Sequence, residues 1–307
     1  MVERGQTTDV NEEISDVACI VVHHRSPDTV IQTVSALESS GIAPTGILVV
    51  DNSGDDEVVR RLEERGTTAI QTANRGYAAA AHVGLEELRR SGRLRPFTLI
   101  ATHEVLPEAG AVRELRDVIA SDESIAVAGP TLLHGAPART WSKGGRLSPV
   151  LRLPSHHRDD SGAGRSVDRD WLDGAFTLYR TTDLETHRLD EVYFLYFEET
   201  DLHTRLRRAG KRVVWVPGAA VQQESSGTPP RLIGRNLFLF HHKLFTDMSG
   251  RCAVGVQFAR AVAKGVLRRQ DSLAAAGQIL AGWMDGERLA AGRPTRKPYP
   301  NEREGLG

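Results

Sequence analysis

Gly46-Ile47-Leu48-Val49-Val50-Asp51-Asn52-Ser53-Gly54 decides how this chain folds. Four consecutive aliphatic residues with no polar alternation describe a strand buried on both faces, as in a parallel sheet. Asp51-Asn52-Ser53-Gly54 ends it, because these residue types favour turns. The same unit recurs on either side. Upstream, Val17 to His23 is a second apolar run. Ser26 follows as a helix cap, with Pro27 at the first helical position, Val30, Val34 and Leu37 on one face, and Gly41 as the stop. Downstream come a helix over Asp55 to Arg65, a strand over Thr67 to Gln71, an alanine-rich helix over Tyr77 to Arg90, a strand over Phe97 to Ala101, a helix over Leu106 to Ala120 and a strand over Ile125 to Ala128. Strands alternating with helices build βαβ units, so the fold class is α/β, Rossmann-like, with a mostly parallel sheet flanked by helices.

Beyond Pro130 the regularity fails. Arg139 to Val167 is rich in Gly, Pro, Ser and His and reads as hairpins and loop over a site. An aromatic strand is expected over Tyr193 to Phe197, a helix capped by Thr200 up to Ala209, and a late strand over Val213 to Val216. From about Pro230 the pattern is helical to Leu289. The expected organisation is an N-terminal disordered arm (1–16), a catalytic domain (17–235), a C-terminal helical extension (236–292) and a loose tail (293–307).

Composition narrows the function classes. With 307 residues, 40% hydrophobic, 26% charged and a net charge of -1, the chain offers no polyanion-binding surface, so no nucleic-acid partner is expected. Its two cysteines, Cys19 and Cys252, lie in apolar runs and read as buried thiols, which suits a reducing, cytoplasmic location. No run reaches the roughly 18 apolar residues of a membrane span. Eleven histidines include three adjacent pairs, but no His-x-His or Cys-x-x-Cys spacing that would suit zinc. Arg260, Lys264, Arg268 and Arg269 give the last helices a modest basic face. It reads as a solvated surface or a peripheral contact with a membrane carrying a lipid-linked acceptor.

In a parallel α/β sheet, ligands bind beyond the carboxyl ends of the strands. The residues to watch are therefore His23-His24-Arg25, Asp51-Asn52-Ser53, Asn74-Arg75-Gly76 and Thr102-His103-Glu104. Read alone, Asp51-Asn52-Ser53 is a turn and Asn74 a helix cap. Their order and company say more. Val49-Val50-Asp51-Asn52-Ser53, then Asn74-Arg75-Gly76-Tyr77-Ala78-Ala79-Ala80, then Trp171-Leu172-Asp173-Gly174-Ala175, then Phe194-Leu195-Tyr196-Phe197-Glu198-Glu199-Thr200-Asp201-Leu202, then Arg205-Leu206-Arg207-Arg208-Ala209-Gly210 resembles the family 2 glycosyltransferases, in their rhamnosyltransferase-like branch, over about Val17 to Leu244.

That resemblance implies a GT-A fold and transfer, with inversion, from a nucleoside-diphosphate sugar of UDP or dTDP type to a small-molecule or polysaccharide acceptor hydroxyl. It implies Asp51 at the nucleobase, His23 and Arg25 with the Asn74-Arg75-Gly76 loop along the nucleoside and phosphates, and Thr102, Asp173 and Gly174 beside the rest of the donor. Trp171 and Glu198 fall on the acceptor side, with Glu199 as catalytic base. A base is needed because the attacking hydroxyl loses its proton as the new bond forms. Asp201 has the simpler role of an i,i+4 partner for Arg205.

Two positions depart from the family pattern. The metal-holding Asp-x-Asp reads Thr102-His103-Glu104, leaving Glu104 as the one acidic ligand for Mg or Mn. A histidine expected after the late strand is replaced in Gln222-Gln223-Glu224. A weak or dispensable metal is therefore expected, with Arg75, Arg231 or Arg235 supplying charge. The same departures also suit a catalytically degenerate nucleotide-sugar-binding or scaffold protein. A nucleotidyltransferase would need a Gly-rich loop after the first strand, and His23-His24-Arg25-Ser26-Pro27 contains no glycine.

Overall fold

The structure, a computed structural model, describes residues 13–158, 164–224, 227–268, 271–293 and 295. In chain order the elements are β1 (Val17–His23), α1 (Pro27–Ser39), β2 (Ile47–Asp51), α2 (Asp56–Glu63), β3 (Thr68–Gln71), α3 (Tyr77–Arg90), β4 (Phe97–Thr102), β5 (Val105–Pro107), α4 (Ala111–Ala120), β6 (Ile125–His134), β7 (Arg139–Ser142), β8 (Gly145–Leu147), β9 (Pro154–His156), β10 (Val167–Asp168), β11 (Phe176–Arg180), α5 (Thr181–His187), α6 (Glu198–Arg208), β12 (Arg212–Gln223), α7 (Pro230–Leu244), α8 (Asp247–Arg268) and α9 (Asp271–Ala290).

The main sheet runs β10-β12-β6-β11-β4-β1-β2-β3. β3, β2, β1 and β4 are mutually parallel, as are β6 and β12. β11 inserts antiparallel between β4 and β6. Both faces of β1 are covered, as its unbroken apolar run requires. Val17, Cys19 and Val21 join a core with Val34 of α1, Leu62 of α2 and Leu115 of α4, while Ala18, Ile20 and Val22 join one with Ala81 of α3 and Leu206 of α6. A third core gathers Tyr193 and Phe197 with Leu237, Phe240, Val254 and Ile279 of the last three helices.

The helices α7 and α9 touch almost backbone to backbone. A Cβ on Gly234 would lie 2.1 Å from the Ile279 carbonyl oxygen, and one on Gly282 would lie 1.9 Å from that of Arg231. No side chain larger than hydrogen fits at either crossing. Among the described residues, no helix is long and apolar enough to cross a membrane.

Several sequence expectations are corrected. Leu106 to Ala120 is not one helix: β5 pairs antiparallel with Val221–Gln223 of β12, and the helix begins only after Gly110 in a left-handed conformation. Tyr193 to Phe197 is not a strand. It follows a 3-10 turn (Glu191–Tyr193), and Phe194, Tyr196 and Phe197 all have positive φ. α6 starts at Glu198 with Phe197 rather than Thr200 at its cap. Ser26 makes no side-chain cap to α1. Residues 1–12 of the expected arm lie outside the described residues, but 14–16 are docked: Ile14 N–H donates to the Gly41 carbonyl at 2.8 Å, and Asp16 pairs with Arg116. Position 235, the expected domain boundary, falls inside α7. Cys19 is buried as expected, whereas Cys252 is exposed.

Candidate active site

The strand ends of β1, β2 and β4, the loop before β11 and the turn before α6 enclose a cavity of about 550 Å³. Its strand-end wall includes His24, Asn52, Asn74, Gly76, Thr102, His103 and Glu104. The opposite wall carries Trp141, His156, Trp171, Asp173 and Gly174, and the floor carries Glu198 and Glu199. The last helices contribute Ile233, Leu237 and Gln257.

Four expected donor-side residues do not line this cavity. Asp51 is fully buried, and its carboxylate accepts from His23 Nδ1 (2.9 Å), from the N–H of Ser53 (2.9 Å) and Asp55 (2.8 Å), and from the Ser53 hydroxyl. His23 is equally buried. Its Nε2 accepts the Ser26 N–H at 3.1 Å, so the ring proton sits on Nδ1 and points to Asp51. Burial alone would raise the proton affinity of Asp51, but the hydrogen bonds from His23, Ser53 and Asp55 outweigh it and hold the carboxyl well below the usual range. Asp51 thus shapes the turn, and its neighbour Asn52 meets the cavity. Arg25 has φ 57 and lies off the wall. Arg75 points outward, 3.5 Å from Glu191.

Gly76 and Gly174 are fixed by close approach. Gly76 has φ 99, and a Cβ there would sit 2.2 Å from the Phe194 carbonyl oxygen. A Cβ on Gly174 would lie 3.5 Å from Cβ and Cγ of Glu199, so the Asp173-Gly174 loop and the acid pair face each other directly. That loop is held on all sides. The Tyr77 hydroxyl donates to the Gly174 carbonyl (2.7 Å), and Thr177 donates to that of Asp173 (2.8 Å). Asp173 itself accepts from the Ser142 hydroxyl (2.5 Å) and meets His156 Nε2 (2.9 Å). The Leu172 N–H donates to His203 Nδ1 at 3.1 Å, and burial lowers the pKa of His203 to about 3, so this buried imidazole stays neutral. His156 also sits between Trp141, to which it is tilted, and Trp171, which it meets edge-on, with ring centres 5.5 and 5.0 Å away.

Glu198 and Glu199 are 3% and 9% exposed. Burial pushes Glu198 up to about 7. Burial, then the charges of Glu198 and Asp173, push Glu199 well above the usual carboxylate range. Two adjacent buried acids cannot both ionise cheaply, so the pair resists losing both protons near neutral pH. As expected, Asp201 is structural: it is fully buried and bonded to Arg205 (2.6 Å), Lys243 (2.8 Å) and the Tyr193 hydroxyl (2.9 Å).

The metal side is sparse. Thr102 ends β4, and His103-Glu104 form a turn rather than an extended segment. Glu104 lies 3.5 Å from His103 Nε2. Among the described residues, no group of three or more His, Cys, Asp or Glu side chains could hold a metal ion. The arginines expected to supply charge are engaged elsewhere. Arg231 pairs with Asp285, and Arg235 is buried against the carbonyls of Val192 and Tyr193.

His24 and Asn52, which the sequence reading placed at the strand ends, line this wall, whereas Trp141, His156 and Gln257 were passed over. His156 was visible only as half of an adjacent pair, and Trp141 and Gln257 carried no motif.

A mostly parallel sheet with a cavity at its strand ends and buried acids on the floor is the architecture of the GT-A fold. The chain belongs to the glycosyltransferase-like family 2, whose sequence pattern matches residues 15–237. It is similar to an N-acetylglucosaminyl-diphospho-decaprenol L-rhamnosyltransferase from Mycobacterium tuberculosis, 21% identical over 264 residues, which span 78% of this chain and 86% of that protein. In fold it is similar to the mannosyltransferase PcManGT of Pyrobaculum calidifontis, solved with GDP-Man and Mn2+ (TM-score 0.57, 12% identity, 91% of this chain and 90% of that one). It is also similar to S. aureus TarS residues 1–349, solved with UDP (TM-score 0.55, 12% identity, 90% of this chain and 83% of that one). The protein is a glycosyltransferase that uses a nucleotide sugar.

Proposed function

We propose that the protein transfers a sugar from a nucleoside diphosphate to an acceptor hydroxyl with inversion, and that Glu199 is the general base. The observation that carries this reading is the buried Glu198-Glu199 pair facing Gly174 across the cavity floor. Inversion needs one displacement at the anomeric carbon, so a carboxylate must stand opposite the leaving diphosphate to take the hydroxyl proton. A raised proton affinity suits that transfer. The nucleoside would rest on the turn shaped by Asp51, against Asn52, which lines the cavity. Asp173, held by Ser142 and His156, would meet the donor sugar. Trp171 and Trp141 would flank the acceptor, for which the lipid-linked substrate named in the mycobacterial relative supplies a chemical precedent.

Among the described residues, no lysine or arginine lines the cavity. The donor set fits a divalent cation held chiefly by the diphosphate, with Glu104 as its carboxylate ligand and the buried, unpartnered Thr102 hydroxyl nearby. Such a cation would neutralise the leaving group.

A thermal-shift screen of UDP-, dTDP- and GDP-sugars identifies the donor. With that donor, Glu199→Gln should lower turnover by about 10²- to 10⁴-fold, the usual value of a positioned base, while the donor-induced shift stays. Near-normal turnover in this variant would sink the assignment.

A further inference from the structure

The segment that presents the acid pair has an unusual backbone. Phe194, Tyr196 and Phe197 have φ of 64, 67 and 75, a region that bulky side chains avoid unless their surroundings force it. Regular elements account for few of its carbonyls, so their partners must be found one by one. The Val192 carbonyl accepts from Arg235 Nη2 (2.8 Å) and that of Tyr193 from Arg235 Nη1 (2.7 Å). The Phe194 carbonyl accepts the Tyr77 N–H (2.7 Å), and that of Phe197 accepts the Asp201 N–H (2.8 Å). The carbonyls of Leu195 and Tyr196 accept from one group, the Asn236 side-chain amide, at 2.8 and 2.9 Å; a longer contact of 3.3 Å reaches Tyr193. Arg235 Nη1 in turn donates to Asn236 Oδ1 at 3.1 Å, which fixes which way the amide faces.

We infer that Asn236, aided by Arg235, is a positioning residue for the transfer: it holds the left-handed turn that sets Glu198 and Glu199 on the cavity floor. Both donors belong to α7, and α7 is itself locked against α9 by the glycine crossings, where a Cβ on Gly286 would meet the Arg235 carbonyl oxygen at 2.8 Å. The helices beyond the sheet therefore brace the catalytic turn. Asn236 touches no wall of the cavity, so its effect must pass through the backbone it holds. The inference rests on the acid pair's proposed role, and its test separates the two.

Asn236→Asp keeps the size of the side chain but turns the donor into an acceptor facing carbonyls. Misplacing a catalytic group by about 1 Å costs roughly 10²-fold, so kcat should fall by about that factor while the KM and dissociation constant of the donor change less than about twofold. Amide hydrogen exchange over residues 193–201 should speed up in the full-length protein, a readout that needs no chemistry. Asn236→Ser, smaller and still a donor, is the second variant and should fall between the two in kcat. Unchanged exchange in the folded variants would overturn the inference whatever the base proves to be. So would a fall in donor affinity that matches the fall in kcat. If Glu199→Gln remains active but Asn236→Asp still loosens the turn, the base assignment fails and the brace stands.

Discussion

Glu198 shows what one buried acid does to a whole protein. Its pKa of about 7 lies above the 4.5 of a solvated glutamate, and burial is the main cause. Below pH 4.5 the acid is protonated in the folded and unfolded chain alike, and burial costs nothing through this group. Between about 4.5 and 7 the unfolded chain ionises first, so folding stability falls as pH rises, by about 3 kcal/mol in all. Above 7 the penalty is constant. Glu198→Gln removes it: urea denaturation should find the variant more stable than the parent at pH 8 and equal to it near pH 4. An equal difference at both pH values would refute the linkage. For the parent, kcat should decline as pH drops through the titration of the pair. At this scale the sequence was partly legible. The Glu-Glu dipeptide and Asp173-Gly174 are recognisable by residue type, and the structure brings them face to face. Asp51 was legible as a site marker but not as a spent carboxylate, because its partner His23 lies on another strand.

The parallel strands were readable because their aliphatic runs are bounded by Gly, Asn and Asp. Two elements were not. Val105–Pro107 becomes a strand only because β12 offers it a partner more than a hundred residues away, and no local pattern encodes that. The aromatics of 193–197 have strand-like side chains, but their backbone is dictated by α7 donors forty residues downstream. The α7–α9 contact is a third long-range feature, visible in the sequence only as scattered glycines in helices. Gly282→Ala would place a methyl group 1.9 Å from the Arg231 carbonyl oxygen, and the helices must separate to admit it. Overpacking of this kind costs typically 1–3 kcal/mol, more when the obstacle is backbone. We expect a loss of about 3 kcal/mol in chemical denaturation and a kcat that falls with it. A variant as stable as the parent would show that the crossing tolerates a side chain.

Across the molecule, the cavity draws on nearly every layer, including Gln257 from α8, and yet, among the described residues, holds no lysine or arginine. A diphosphate bound there lacks the arginine partners that Arg75, Arg231 and Arg235 were expected to provide, which argues against a dispensable metal. Excess EDTA should therefore abolish transfer, and Mn or Mg should restore it, with Glu104→Gln requiring more metal than the parent. Full activity in EDTA would show that the charge is met another way.

The placement of β11 also dictates an order of assembly. β3, β2, β1 and β4 come from one continuous stretch, residues 17–102, and can pair as soon as that stretch exists. The sheet cannot close until β11 threads between β4 and β6, and the acid turn cannot set until α7 arrives to satisfy its carbonyls. During synthesis from the N-terminus, the strand ends that carry Asn52 and Thr102 can form early and the Glu198-Glu199 turn only last. A half-made chain would then present the strand-end wall of the cavity before the floor beneath it exists.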